Sequence, residues 1–238
     1  MSDDEFLRHY DPQAFDRPSI TVDLVLLAIR GGRPSALLLR RDAPPQAERW
    51  ALPGGFVGID EDLEAAAVRV ARDKAGIEGA QLEQLYTFGA VNRDPRMRIV
   101  TVAYLGLMAE SAFEAALGAA LQLLPAALEI DPGGEGFAAR SPEGEALPLA
   151  FDHAEILGTA LMRLRGKLDW SNVGFSLLPE RFTLRQLQEV HEAILGTPLN
   201  KPAFRRRMLD KGWIAPTGTR EAGASFRPAE LYRFQPNT

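Results

Sequence analysis

The sequence predicts an α/β protein in which a mixed α/β domain precedes a small helix-turn-helix domain with a β-hairpin. Strands of β-branched and aliphatic residues flank an amphipathic helix in the first half, and two helices precede two short strands near the C-terminus. The 238-residue chain has a net charge of −5, yet residues 179–238 hold ten Lys and Arg against six Asp and Glu. This split between an acidic N-terminal part and a basic C-terminal part indicates that only the C-terminal part binds a polyanion.

The first domain, predicted over residues 1–150, contains one helix among several strands. Apolar residues at spacings of three and four predict the helix over Asp62–Ala75, and Gly76 supplies its C-cap. A Gly-Gly turn between the first two apolar runs is typical of a β-hairpin. The predicted strands are Ile20–Ile29, Ala36–Arg41, Trp50–Gly55, Leu85–Val91 and Ile99–Leu107. Residues 110–150 are rich in Ala, Gly, Pro and Glu, and we expect a variable excursion with one hairpin there.

A connecting helix and a linker are predicted over residues 151–178. Ile and Leu recur at spacings of three and four over Phe151–Leu168, which indicates a helix that buries one face. Leu177–Arg181 is typical of a short linker. The composition changes after it, so a second domain is predicted over residues 179–238.

The C-terminal domain is predicted to begin with a capping box, because Gln186 stands three residues after Thr183. The first helix ends at Gly196, and the second runs from Asn200, a favourable N-cap residue, to Gly212. Two short strands are predicted after it, Ile214–Thr219 and Phe226–Phe234. Helix, turn, helix and hairpin in this order form the winged-helix arrangement.

The composition excludes several classes of site. Because the chain has no Cys, it cannot form a disulfide scaffold, a Cys-ligated zinc finger, an iron–sulfur cluster or a thiol nucleophile. Its three His residues are too scattered for a His-rich metal site. The apolar run Ile20–Ile29 is too short to cross a bilayer and is interrupted by Asp23. The acidic N-terminal sequence lacks the positive flank of a secretory signal, so we expect a cytoplasmic protein with no membrane partner.

A spaced motif lies around the helix of the first domain. Gly55 is followed after five residues by Glu61 and after seven more by Arg69, and the pair Gly76–Ile77 closes the motif. This spacing resembles the Nudix box. The resemblance implies a Nudix α/β/α sandwich with a mixed sheet, a fold that handles nucleoside diphosphates.

Three helix positions that carry carboxylates in the Nudix family correspond to positions 70, 73 and 74. Their spacing would place them on one helical face, where they would hold Mg²⁺ at a pyrophosphate. Here the residues are Val70, Asp73 and Lys74. Valine cannot ligate a cation and lysine adds a positive charge, so we assign no catalytic residue, no metal ligand and no cofactor. We expect a domain that binds a diphosphate without hydrolysing it; the alternative is a box that serves only folding.

A turn with two arginines is the second indication of a ligand. The sequence Arg93-Asp-Pro-Arg96 lies between two predicted strands, and arginine binds phosphate in a forked geometry. It resembles the turn of Nudix proteins that handle ADP-ribose and of their regulatory relatives. We expect Arg41 to add a charge and Trp50 a stacking face; the alternative is a solvated turn with a local ion pair. The predicted ligand-binding residues are Arg41, Trp50, Gly55, Lys74, Arg93 and Arg96.

The second helix of the C-terminal domain carries the densest positive charge of the chain. Its buried arc is predicted to comprise Phe204, Met208 and Leu209. At 100° per residue Arg206 and Arg207 face away from that arc, whereas Arg205 lies nearer to it. Such a helix fits the major groove, where arginine forks onto guanine; the alternative is a charged solvated face. The predicted DNA-binding residues are Thr183, Lys201, Arg205, Arg206, Arg207, Arg220 and Arg227.

The C-terminal domain contains Phe182-Thr-Leu-Arg-Gln186 and Leu231-Tyr-Arg-Phe234, and the connecting helix contains Phe151-Asp-His-Ala-Glu-Ile156 and Arg165-Gly-Lys-Leu168. These segments resemble the Nudix-related transcriptional regulators of NAD metabolism. The resemblance implies a homodimer that holds a palindromic operator in double-stranded DNA and senses ADP-ribose or a related nucleotide diphosphate. We therefore predict a ligand-responsive repressor that is not an enzyme. Two alternatives stay open. One is an active Nudix hydrolase in which Glu61, Glu64 and Asp73 rebuild a metal site, and the other is a scaffold whose tail binds protein.

Overall fold

The computed structural model describes residues 2–11, 13–120, 122–130, 136–221 and 228–236. Within them, eight strands form one mixed sheet and two form a separate hairpin. The helices are α1 (Asp3–His9), α2 (Leu63–Ala75), α3 (Glu110–Ala119), α4 (His153–Lys167), α5 (Leu184–Leu195) and α6 (Lys201–Asp210), with a 3₁₀ turn at Val173–Leu177. The strands are β1 (Ser19–Arg30), β2 (Arg33–Arg40), β3 (Trp50–Ala51), β4 (Gly54–Phe56), β5 (Leu82–Phe88), β6 (Ile99–Leu107), β7 (Leu123–Ile130), β8 (Phe137–Arg140), β9 (Ile214–Arg220) and β10 (Glu230–Phe234).

The large sheet has the strand order β5-β6-β1-β2-β7-β8, with β3 paired to β2 and β4 to β1. Strands β1 and β6 are parallel and the other neighbours are antiparallel, so the predicted mixed sheet is confirmed. The central strand β1 is buried on both faces because its side chains alternate between two apolar cores. Val22 and Leu24 pack with α2 and α3, whereas Val25 and Leu27 pack toward α4. The result is the predicted α/β/α sandwich.

Helix α2 follows from local signals in the sequence. Asp62 is its N-cap residue, and Gly76 ends it in the left-handed conformation at φ 65°. The buried residues of the helix are Ala66, Ala67, Val70, Ala71 and Ala75, which pack in the core on this face of the sheet. The predicted range of this helix is therefore confirmed to within one residue.

Helix α4 lies on the opposite face of the sheet and joins it to the C-terminal helices. Ile156 and Leu164 of α4 belong to one apolar cluster with Leu187 and Ile194 of α5. The guanidinium of Arg165 donates to the carbonyl of Ile194 (2.9 Å). Because α4 packs against both the large sheet and α5, a displacement of α4 must also displace atoms of these two neighbours.

The described residues 110–120, 122–130 and 136–150 contain a helix as well as the hairpin that was predicted for this excursion. The helix α3 that they contain buries Phe113 and Ala116 on the α2 face of the sheet. The expected hairpin is present as β7 and β8, and β7 extends the main sheet by pairing with β2. Ala is a strong helix former, so the Ala-rich composition that suggested an irregular segment instead builds a helix.

The C-terminal elements agree closely with their predicted order. The side chain of Thr183 accepts from the N–H of Gln186 while Gln186 reaches back to the N–H of Thr183, which confirms the capping box. Asn200 caps α6, and β9 pairs with β10. Strand β10 begins at Glu230, later than predicted, and β5 runs three residues earlier than predicted. None of the helices formed by the described residues is long and apolar enough to cross a bilayer.

Candidate functional site

An open cavity of about 220 Å³ lies at the end of the large sheet, beside the N-terminus of α4. Its lining combines three arginines with two acidic side chains, one His and two aromatic rings. The lining residues are Thr21, Asp23, Arg41, Ala51, Leu52, Gly54, Gly55, Phe56, Arg93, Asp94, Arg96, Ile99, Phe151 and His153. Thr21 is one of these lining residues, and its hydroxyl oxygen is buried without a hydrogen-bond partner among the described residues.

Arg93 is the buried centre of this site. Its side chain is only 5% exposed, and it forms a forked pair with Asp152, the residue before α4, through two contacts of 2.7 Å. A third contact of 3.4 Å joins it to Asp23 of β1. Although burial opposes the charged form, the hydrogen bond to Asp152 and the charge of Asp23 together raise the pKa of Arg93. One cation therefore ties the sheet to the start of α4.

His153, the first residue of α4, also bonds the start of this helix to the sheet domain. The backbone N–H of Leu52 donates to Nδ1 of His153 (2.8 Å), which leaves the ring proton on Nε2, 3.8 Å from Oδ1 of Asp23. Burial lowers the pKa of His153, so the ring is neutral at physiological pH. Sequence reasoning missed Asp23, Asp152 and His153 as site residues. The one signal for them was the interruption of an apolar strand by Asp23.

Arg41 and Arg96 lie at the rim of the cavity. Arg41 stacks over the ring of Phe151 at 4.8 Å and donates to the carbonyl of Pro45. Arg96 pairs with Asp94 (2.8 Å) and lies 5.8 Å from the ring centroid of Phe56. The side chain of Arg96 is 45% exposed, so it is accessible to an anion that enters the cavity. The Arg93–Arg96 turn therefore contains the local ion pair that was the alternative to ligand binding, formed by Arg96 and Asp94. The side chain of Arg93, in contrast, is buried and so does not belong to a solvated turn.

The structure gathers four of the six predicted ligand-binding residues around the cavity: Arg41, Gly55, Arg93 and Arg96. Trp50 is not among the lining residues, because its half-buried ring packs against the core on the α4 face. Lys74 is also outside the lining, since it lies on the exposed side of α2. Neither the stacking role predicted for Trp50 nor the charge role predicted for Lys74 is supported by this placement.

The Nudix-box residues do not fit a magnesium site. Glu61 is held in a forked pair with Arg69 by two contacts of 2.7 Å, and its second oxygen also accepts from the N–H of Gly58. The pair with Arg69, aided by that N–H, lowers the pKa of Glu61 to about 2. Val70 is 1% exposed and fills the space beside Gly55, and Asp73 pairs with Arg72. Within the described part of the chain, no three acidic or His side chains come together as metal ligands.

Helix α6 presents a cationic surface, with one correction to its predicted orientation. Arg205 and Arg206 are exposed, whereas Arg207 lies back over the ring of Phe204 (5.6 Å) and pairs with Asp169 (3.2 Å). The prediction that Arg207 is free and Arg205 is constrained is therefore wrong, because Asp169 attracts Arg207 across the fold. Leu209 is 43% exposed, so Phe204 and Met208 alone form the buried arc.

The remaining predicted DNA contacts lie in different environments. Thr183 is buried and its hydroxyl serves the helix cap, which corrects its prediction as a DNA contact. Lys201 is exposed at the first turn of α6. Arg220 is exposed at the end of β9 and donates to the carbonyl of Pro228 (3.1 Å). Arg227 lies outside the described residues.

Comparisons with known proteins agree with this two-part organisation. Residues 18–121 match the NUDIX domain family, and residues 174–234 match the NrtR DNA-binding winged helix domain. The ADPR responsive transcriptional repressor NtrR of Acinetobacter baylyi is 37% identical over 235 residues, which covers 98% of this chain and 88% of that protein. This chain belongs to the NrtR family. The family resemblance seen in the sequence is thereby confirmed.

Solved structures of an NrtR protein support the same assignment. Shewanella oneidensis NrtR complexed with a 27mer DNA superposes with a TM-score of 0.74 at 32% identity, covering 91% of this chain and 93% of that chain. The NUDIX domain of the same NrtR complexed with ADP ribose gives a TM-score of 0.50 at 31% identity, covering 69% of this chain and 99% of that chain. The NrtR fold therefore spans both the cavity and the α6 surface described above.

Proposed function

We propose that the protein is a transcriptional repressor that binds an operator through α6 and responds to ADP-ribose through the cavity beside α4. The observation that carries the proposal is the combination in one chain of a Nudix domain without metal ligands and a winged helix with exposed arginines. The relative from Acinetobacter baylyi is an ADPR responsive repressor, and the NrtR structures contain DNA or ADP ribose.

The cavity suits a diphosphate whose ends carry hydroxyl groups. Arg41 and Arg96 supply cationic groups at the rim, where a pyrophosphate can bind through forked hydrogen bonds. Inside, the carboxylate of Asp23 is a suitable acceptor for a ribose hydroxyl. The cavity is smaller than the ~300–1,000 Å³ typical of sites that enclose a whole ligand, so part of ADP-ribose would extend over its open mouth.

We propose a homodimer for the DNA-bound form. A palindromic operator presents two half-sites about one helical turn apart, and two copies of α6 related by a twofold axis match that spacing. The genes controlled would then belong to NAD metabolism, since ADP-ribose is a product of NAD breakdown, and the protein would act in the cytoplasm.

The proposal predicts that ADP-ribose changes operator binding. Purified full-length protein should shift a duplex taken from the region upstream of its own gene, and added ADP-ribose should weaken that shift about tenfold, a coupling within the usual range. A gel-shift titration with and without ADP-ribose measures both effects, with AMP as the matched control ligand. If the protein binds DNA equally well in both conditions, ADP-ribose is not the effector.

A second prediction concerns catalysis. Because Val70 is buried, Glu61 is locked to Arg69 and Asp73 is paired with Arg72, we expect no hydrolysis of ADP-ribose with Mg²⁺ or Mn²⁺. Release of AMP is measured by chromatography, and turnover near 1 s⁻¹, the low end for ordinary enzymes, would establish the active hydrolase instead.

A further inference from the structure

Helix α4 contacts the cavity at one end and the DNA-binding helix at the other. Asp152, its N-cap residue, pairs with Arg93 of the cavity. Asp169, which follows the C-cap residue Leu168, contacts Arg207 and Lys211 near the end of α6. At a rise of about 1.5 Å per residue the two acidic residues are about 25 Å apart. We propose that these contacts make α4 a two-ended latch through which the ligand controls the position of α6.

The cavity end of the latch has two alternative partners for one carboxylate. An Asp at an N-cap position ordinarily accepts from the first backbone N–H groups of its helix. Here the carboxylate of Asp152 forms no such cap, and both of its oxygens are bonded to Arg93 instead. The negative charge of a diphosphate held between Arg41 and Arg96 also attracts Arg93 and so competes with Asp152, and the released carboxylate can then cap α4. Both arrangements satisfy the carboxylate, so the junction can switch between them without leaving a buried charge unpaired.

The junction holds a further sign of constraint immediately before Asp152. Phe151 adopts a φ of 51°, a left-handed conformation that costs free energy for a residue with a side chain. It is held there by Arg41, which stacks on its ring, and by the side chain of Gln46, which accepts from its N–H (2.9 Å). A ligand that draws Arg41 away from the ring removes one of these restraints, so the same binding event acts on both Phe151 and Asp152.

The DNA end of the latch fixes α6 through its last turn. The guanidinium of Arg207 pairs with the carboxylate of Asp169 (3.2 Å), and the ammonium of Lys211 donates to the backbone carbonyl of Asp169. Between the two ends α4 is packed in the continuous core and bonded to α5 through Arg165. A shift of the helix at Asp152 therefore moves Asp169 and loosens α6 from the orientation that it needs in the major groove.

This inference rests on the proposed function and makes a prediction that simple damage to the fold would not give. The closed latch favours DNA binding and the open latch favours ADP-ribose, so breaking either end should weaken DNA binding and tighten ADP-ribose binding. Asp169→Asn is the decisive variant, because its side chain is 73% exposed and lies far from the cavity. We expect about threefold to fivefold weaker DNA binding and a similar gain in ADP-ribose affinity for it, which is the size of effect that an exposed ion pair can supply.

The experiment uses the full chain and five proteins: wild type, Asp152→Asn, Asp169→Asn, Glu155→Gln and the double variant Asp152→Asn, Asp169→Asn. DNA affinity is measured by fluorescence anisotropy with a duplex selected from a random pool, and ADP-ribose affinity by calorimetry. Glu155→Gln is the matched control, since Glu155 is exposed in the first turn of the same helix and should alter neither affinity. The double variant Asp152→Asn, Asp169→Asn should show no more change than Asp152→Asn alone, because both substitutions open one latch.

The outcomes separate the inference from the proposed function. A wild-type protein whose DNA binding ignores ADP-ribose overturns the proposed function, and the latch with it. A wild-type protein that responds while Asp169→Asn keeps both wild-type affinities overturns the latch alone. If Asp169→Asn weakens both ligands, its contact is structural and the latch is also overturned.

Discussion

A protein with both Arg205→Ala and Arg206→Ala is expected to bind its operator roughly 100-fold more weakly, since each lost arginine contact costs about 1–3 kcal/mol. Both side chains are exposed on α6, while Arg207 is already paired with Asp169 and contributes less. Phe204 and Met208, which hold α6 in the fold, are untouched. The melting temperature should therefore stay at the wild-type value. Anisotropy titration with the selected duplex measures the loss.

The salt dependence of DNA affinity distinguishes a direct arginine–phosphate contact from a general effect of the protein's net charge. Each arginine that contacts a phosphate adds about 1 to the slope of log affinity against log salt, so the double variant should have a shallower slope. Arg72→Ala with Lys74→Ala removes the same charge from the exposed side of α2, which packs on the face of the sheet opposite to the core that contains α6. Equal losses in the two double variants would mean that net charge, and not the α6 surface, governs DNA binding.

Features with local signals were predictable from the sequence. Helix α2 was found because its buried residues recur at helical spacing and Gly76 adopts the left-handed C-cap conformation. The capping box at Thr183 needs only two residues three positions apart. The substitution of an aliphatic residue at one carboxylate position of the Nudix box was also visible, since Val70 has no ligating atom. Each of these depends on residues within about one helix length of each other.

The ionic contacts of the site were not predictable in this way. Arg93 and Asp152 are 59 positions apart, so no periodicity or motif relates them, and Arg207 and Asp169 are 38 positions apart. The orientation of Arg207 was therefore predicted from the helical wheel alone and came out wrong. Trp50 was assigned to the ligand by residue type, whereas the apolar ring is stabilised more by the core.

The Nudix-box residues and the cavity residues of this chain make different kinds of contact. Two residues of the Nudix box make contacts that stabilise the fold. Val70 packs against Gly55, and Glu61 forms an ion pair with Arg69. The cationic groups of the cavity are retained, but the buried one, Arg93, is turned toward α4. In the proposed latch, the contacts of Arg93 would therefore connect ligand binding to the position of α4.

The variant Arg93→Met is expected to lose about 3–5 kcal/mol of unfolding free energy, since removing one partner of a buried pair leaves an uncompensated charge. The side chains of Asp23 and Asp152 are only 9% and 13% exposed, so loss of the guanidinium leaves two poorly hydrated carboxylates without their shared cation. Urea denaturation followed by circular dichroism measures the change. Arg72→Ala breaks the exposed pair with Asp73 and serves as the control, with an expected loss below about 1 kcal/mol.

Whether this loss of unfolding free energy is electrostatic can be tested by adding a second substitution, Asp152→Asn, and asking whether it stabilises or destabilises each protein. In the wild-type background Asp152→Asn removes a partner of Arg93 and should destabilise the fold. In the Arg93→Met background the same substitution removes an orphaned negative charge and should stabilise it. If Asp152→Asn instead destabilises both proteins equally, Arg93 contributes through packing, and the charge balance among Arg93, Asp23 and Asp152 does not hold the sheet to α4.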